Sequence, residues 1–292
     1  PRKGGEKMDM KDIIEKQRNE SASRAVKKFG PELWHYTNFN AFDGIVNNKE
    51  IWFGSAACMN DKSESKDFIN KLETVVLKGV THSNRKKVTE IFDMIRARLS
   101  GRYPFIFCVS RACDDAAQWE RYACRGEGVA IVFSTEWLNK LLTNNDFIMD
   151  EEYYEYDVKK HEMKRILVDY IEKGKLNGFP DLEGIVDNLL LCATIHKHRS
   201  FVSEKEVRMA PLLVDENDRC VQYKIMSNVK KVYIVDLKSL CEKENIKFTD
   251  LIEAIVIGPR SQQNIADFQW YLKKIRLPEL VEKVKQSDCP LR

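Results

Sequence analysis

Six short apolar runs constrain this chain most: ELWHYT, KEIWFGS, PFIFCVS, GVAIVF, VKKVYIV and IEAIVIG. Each has the length of a strand, is rich in β-branched or aromatic residues, and opens on or adjoins Gly, Pro, Asn or Asp. They come in clusters and outnumber simple strand-helix-strand units. That order predicts an α+β fold with a mixed or antiparallel, split β-sheet flanked by helices.

The remaining periodicity is helical. Met8 to Lys28 reads as a surface helix or arm that ends before Gly30-Pro31, and Asn38 reads as the cap of a helix through AFDGIVNN. Apolar residues at helical spacing between Lys66 and Leu99 predict two helices broken near KGVTHSN. Further helices are expected over His161 to Lys173, Leu182 to His196 and Gln263 to Lys274. With no repeat and no flexible linker, the expected organisation is an N-terminal helical arm or tag-derived segment over residues 1–30 and one α+β domain over 31–292. Pro1 is not an initiator methionine, so PRKGGEK reads as a tag remnant or the edge of an excised fragment.

Composition narrows the class. The 292 residues are 43% hydrophobic, enough for a sizeable core, and 48 basic against 45 acidic residues leave a formal charge of only +3. Nucleic-acid binding is neither demanded nor excluded by that balance. The 8 cysteines contain no C-x-x-C pair, which sets zinc ribbons and redox dithiols aside and predicts small buried apolar thiols in a reducing compartment. No apolar run has the length of a membrane span and no signal-peptide core opens the chain, so a cytoplasmic protein without membrane contact is expected.

Four stretches have residues suited to chemistry. His35, Tyr36 and Thr37 close the first strand run, where a strand-end histidine with a satisfied ring is the plain alternative. In MNDKSE, Asn60, Asp61 and Glu64 follow an apolar strand and read first as a turn with a capping box. Ser110 and Arg111 stand where PFIFCVS emerges; Trp119 and Tyr122, three apart on a helix, are expected to share a face, as core or as a stacking surface. RGEGVAI is too short for a dinucleotide fingerprint and reads as a turn. In FVSEKEVRMAPLLV, strand alternation puts Glu204, Glu206 and Arg208 on one face and Val207 and Met209 on the other. Neighbouring carboxylates repel unless solvated or held by a cation, and Arg208 can supply that cation. The choice lies between a solvent-facing, salt-bridged strand and a site whose carboxylate stabilises positive charge at a sugar carbon.

The series LWHYT, IVNNKEIWFGS, MNDKSE, FIFCVSR, DDAAQWERYA, GEGVAIVF, FVSEKEVRM, IEAIVIGPRS and KQSDCPLR resembles the bacterial domain-of-unknown-function family 2971, in order from Leu33 to Arg292. More distantly, HYTNFNAFDGIVNNKEIWF looks like the first strand-helix-strand of ADP-ribosyltransferases, and EKE followed by apolar alternation looks like their late strand. That resemblance implies an ADP-ribosyltransferase-like fold with NAD as substrate and no metal. It implies that His35, Tyr36 and Thr37 bind the cofactor, that Glu206 stabilises the oxocarbenium ion as nicotinamide leaves, and that Glu204 orients the acceptor. Ser110 and Arg111 would sit on the middle strand, with Arg111 on a phosphate. Trp52, Trp119 and Tyr122 compete for the place of the ring that stacks on nicotinamide. The acceptor would be a protein side chain, a nucleobase or water, and the resemblance extends to toxins and antiviral effectors of bacterial defence.

Two other classes compete. One is a non-catalytic ligand- or nucleic-acid-binding regulatory module, in which the same charges are ordinary surface. The other is a metal-dependent nuclease built from Asp61, Glu64, Asp115 and Glu206, for which the sequence offers no compact ligand spacing.

Overall fold

The computed structural model describes residues 10–56, 64–99, 104–151, 162–175, 178, 180–197, 199–212, 214, 217–225 and 228–291; of residues 10–16, 64–66, 98–99, 151 and 199 it describes the backbone alone. In chain order its elements begin with α1 (Met10–Phe29), β1 (Glu32–Thr37), α2 (Phe39–Val46), β2 (Glu50–Ser55), α3 (Glu64–Gly79), α4 (Arg85–Leu99) and β3 (Phe105–Ser110). Then come α5 (Ala116–Tyr122), β4 (Val129–Ser134), α6 (Thr135–Thr143), β5 (Phe147–Glu151), α7 (Glu162–Lys173) and α8 (Leu182–Thr194). The chain continues with β6 (Glu206–Pro211), β7 (Val221–Ile225), β8 (Val229–Asp236), α9 (Leu237–Glu244), β9 (Ile252–Ile257), α10 (Ile265–Lys274) and β10 (Val284–Gln286). The fold is α+β, with a mixed, open, mostly antiparallel sheet flanked by helices, as the clustered strand runs predict.

The chain divides into two compact units, the first made of Pro1–Ile51, Cys108–Met149 and Asp236–Arg292, the second of Trp52–Phe107 and Asp150–Val235. In the first unit β4 is central. It pairs antiparallel with β1 from Glu32↔Ser134 to Thr37↔Val129, and antiparallel with β9 on its other side, while β10 runs parallel to β9. Every residue of β4 is buried, which is why its sequence is a continuous apolar run without alternation. Trp34, Tyr36, Ala130, Val132, Ala254 and Val256 form one face of this sheet and pack against Trp119 and Ala123. Leu33, Ile131 and Ile255, which alternation places on the other face, are fully buried as well. Asn38 caps α2 by accepting from the Ala41 amide at 2.8 Å, as the sequence predicts.

In the second unit α3, α4, α7 and α8 bury Phe68, Leu72, Phe92, Ile95, Leu167 and Leu189 in one cluster. The helical spacing of the first four is the pattern legible between Lys66 and Leu99. The turn between α3 and α4 is a short 3-10 helix, His82–Asn84. β2 pairs antiparallel with β3 through Gly54↔Ile106 and Ser55↔Phe105, and β7 pairs antiparallel with β8. β6 lies beside β3, and β7 ends the strand order.

Candidate functional site

The residues singled out in the sequence fall into two groups. His35, Tyr36, Thr37, Ser110, Arg111, Trp119 and Tyr122 belong to the first unit, whereas Trp52, Glu204 and Glu206 belong to the second. Asp61 and the side chain of Glu64 lie outside the described residues.

In the first unit β1 carries its motif beside the end of β3, with Trp34 opposite Ser110. The half-buried His35 places Nδ1 2.9 Å from the backbone oxygen of Cys108. A carbonyl only accepts, so Nδ1 holds the proton of the neutral ring and Nε2 is its acceptor nitrogen. Burial lowers the His35 pKa to about 4, against the opposing pull of the Cys108 hydrogen bond, so this imidazole is neutral at physiological pH. Tyr36 is buried, donates its hydroxyl to Ala112 O at 2.6 Å and accepts from Asp115 N at 3.1 Å. Burial, foremost, raises its pKa above the ordinary phenol value. Its ring stacks on Trp34 at 5.7 Å and meets Trp119 edge-on at 4.9 Å. Thr37 is buried at the strand end, and the Ser110 hydroxyl accepts from Ala112 N at 2.9 Å.

Trp119 and Tyr122, three apart on α5, differ in environment. Trp119 is fully buried and Tyr122 is 40% exposed. α5 is only one turn past its cap when Trp119 enters the core, and it ends at Tyr122, which leaves that ring at the rim. Asp114 and Asp115 fix this arrangement, a role the sequence reading missed. Asp115 caps α5 by accepting from the amides of Ala117 and Gln118. Asp114 accepts from Trp119 Nε1 at 2.7 Å, from Ser287 Oγ at 2.5 Å and from Asp288 N at 2.9 Å. The doublet DDAA after a strand, with an indole in the next turn, was the available signal.

In the second unit the reading of FVSEKEVRM as one continuous strand needs correction. Glu204 closes a 3-10 helix over Arg199–Glu204, Glu206 opens β6, and Lys205 between them adopts a left-handed φ of 45°. The strand is also not solvent-facing, because all its residues are buried. Glu204, Glu206 and Arg208 are 2%, 6% and 4% exposed. The backbone kink brings both carboxylates onto a lysine that the sequence reading did not single out. Lys197, itself buried, donates to Glu204 Oε2 at 2.7 Å and also to Glu206 Oε2. Arg208 Nε reaches Glu206 Oε1 at 3.3 Å, in the cationic role expected for it, and its Nη1 donates to Thr194 O at 2.7 Å. Two cations and two anions cancel, which is the condition under which buried charges are tolerated. Lys197 comes from the irregular segment after α8, where no periodicity marks it.

Beside this network His196 is buried with Nε2 3.5 Å from Asp67, and burial lowers its pKa. Trp52 is half-buried on β2, with Lys224 Nζ 5.1 Å above its ring. Among the described residues no group of three His, Cys, Asp or Glu is placed to hold a metal ion. The cysteines are not uniformly buried: Cys241 is, but Cys113 and Cys124 are exposed. No described helix is long and apolar enough to cross a membrane.

Residues 118–209 match the family model of DUF2971, proteins of unknown function. The matched stretch runs from α5 into β6 and contains Trp119, Tyr122, Lys197, Glu204, Glu206 and Arg208. No curated protein and no solved structure matches the chain.

Proposed function

We propose that this chain cleaves the N-glycosidic bond of NAD, as a glycohydrolase or as an ADP-ribosyltransferase, with Glu206 facing the ribose carbon that becomes positive. The observation that carries the reading is the convergence of Glu204 and Glu206 on Lys197 at the start of a fully buried strand. A carboxylate fixed on a rigid element in a low-dielectric setting favours an oxocarbenium ion over a neutral ribose. Within the second unit Lys197 and Arg208 hold the Glu206 carboxylate in place, and Glu204 suits the acceptor. Of the aromatic candidates, half-buried Trp52 belongs to the same unit as Glu206. A toxin or antiviral role rests on the resemblance alone.

One observation favours a second reading. Both oxygens of Glu206 already face cations, which suits a structural charge network in a non-catalytic binding module. Nicotinamide release from NAD, with and without cell lysate, separates the two. Release by the wild-type chain that is lost in a folded Glu206→Gln variant supports glycosidic cleavage, and dependence on lysate assigns a macromolecular acceptor. No release and no NAD binding under any condition leaves the binding module.

A further inference from the structure

The β7–β8 hairpin of the second unit carries charge and apolar surface in an unusual combination. Three of its large apolar side chains are open to solvent: Tyr223 at 68%, Ile225 at 87% and Val229 at 64%. Their register is Tyr223↔Lys231 and Ile225↔Val229, so by strand alternation they share one face, along which Tyr223 is flanked by an ammonium. On the opposite face Lys224 stands directly across from Lys230. Like charges in that relation destabilise a ladder. Lys224 rests over Trp52 at 5.1 Å and Lys231 over Phe105 at 6.0 Å, which positions both stems, and the strands carry no acidic residue between Val221 and Val235. β7 ends the strand order, so among the described residues one side of its backbone faces no further strand.

We infer that β7 is the docking edge for an extended acidic segment of a partner protein, which adds to the sheet as a further strand. Three features select that occupant. The backbone edge offers the hydrogen-bonding row that an extended peptide uses in strand addition. The paired lysines call for anionic side chains, and Ile225 and Val229 give the intervening residues an apolar surface. A nucleic acid would satisfy the lysines but neither the strand edge nor the β-branched pair. A second copy of this chain would bring lysine against lysine. The inference does not depend on NAD cleavage.

The test is fluorescence anisotropy of a labelled peptide alternating glutamate with valine, titrated with the full chain. Alongside run the same peptide N-methylated on alternate residues, its lysine counterpart and a single-stranded oligonucleotide. The expected result is saturable binding of the glutamate peptide, weakened about tenfold or more by N-methylation and by Lys224→Glu with Lys230→Glu. Ile225→Ser, at an open position that folding does not need, should weaken it as well. Circular dichroism confirms that each variant is folded. Four results overturn the inference: no binding of the glutamate peptide, binding indifferent to these substitutions, tighter binding of the oligonucleotide, or a dimer in sedimentation that Ile225→Ser dissociates.

Discussion

Lys197 Nζ stands 2.7 Å from Glu204 Oε2, with both side chains buried. They lie seven positions apart in the chain, and the same ammonium also engages Glu206. Replacing Lys197 by Met leaves two carboxylates facing each other in the interior, with Arg208 as the remaining cation. Breaking one partner out of a buried ion network costs about 3–5 kcal/mol. Urea unfolding should show that loss for Lys197→Met. The exposed pair Arg165–Glu162 is the internal comparison, where Arg165→Ala should change stability by less than about 1 kcal/mol. Equal effects at the two positions would mean that the Lys197 network contributes no more than a surface pair.

How much of this was legible beforehand differs by element. β1 to β4, β8 and β9 follow from apolar runs, because a strand buried on a face advertises itself in side-chain pattern. β7 and β10 carry no such pattern: VQYKI is half polar at a sheet edge, and VKQ has only three residues. Arg208 as a partner of Glu206 follows from strand spacing, but Lys197 does not, since its position depends on the chain turning back after α8. The placement of Glu204 failed at Lys205, whose left-handed φ no local residue type announces; Gly or Asn would have. Asp114 escaped because its three donors come from Trp119 and from residues more than 170 positions away.

The two lowered histidines set a direction for acid sensitivity. Burial holds the folded pKa of His35 at about 4 against an ordinary 6.5, so between those values the unfolded chain binds the extra proton. Stability therefore falls as pH drops through that window, by up to about 3 kcal/mol when the pH reaches the folded value. His196, also lowered by burial, acts in the same direction in the second unit. Denaturation midpoints measured from pH 7 to pH 4.5 should decline for the wild-type chain and decline less for His35→Gln. A flat profile would mean that neither histidine is lowered in the folded chain.

Gly128 sits immediately before β4, where a Cβ would come 2.2 Å from the Thr37 carbonyl oxygen and 3.0 Å from Ala123. Neither neighbour is a side chain that can swing away, so Gly128→Ala must shift β1 or the turn before β4. Overpacking of this kind costs about 1–3 kcal/mol or more. Gly54 on β2 is the contrast, with nothing within 4 Å of an added Cβ. Thermal melts should show a clear loss for Gly128→Ala and little change or a gain for Gly54→Ala. The close approach also gives the RGEG turn a steric reason to hold glycine beside the HYT strand end.

Asp114 ties α5 to the segment after β10 by accepting from Trp119 Nε1, Ser287 Oγ and Asp288 N. Cys289 and Leu291 then pack against the Trp34, Tyr36 and Trp119 cluster. Substituting Asp114 by Ala removes the acceptor of all three hydrogen bonds at once and leaves the buried indole N–H without its partner, a penalty of about 1–3 kcal/mol. Ser287 Oγ in turn accepts from Cys289 N at 3.1 Å, so the loss reaches the next amide of the segment. Hydrogen exchange at the Asp288 amide should therefore accelerate about tenfold or more in Asp114→Ala, with a smaller change in the centre of β4. In Trp119→Phe the Asp288 bond survives, so exchange there should stay near wild type while the indole contribution to stability is lost. If the two variants accelerate exchange equally, the tail is held by packing on the aromatic cluster and not by Asp114.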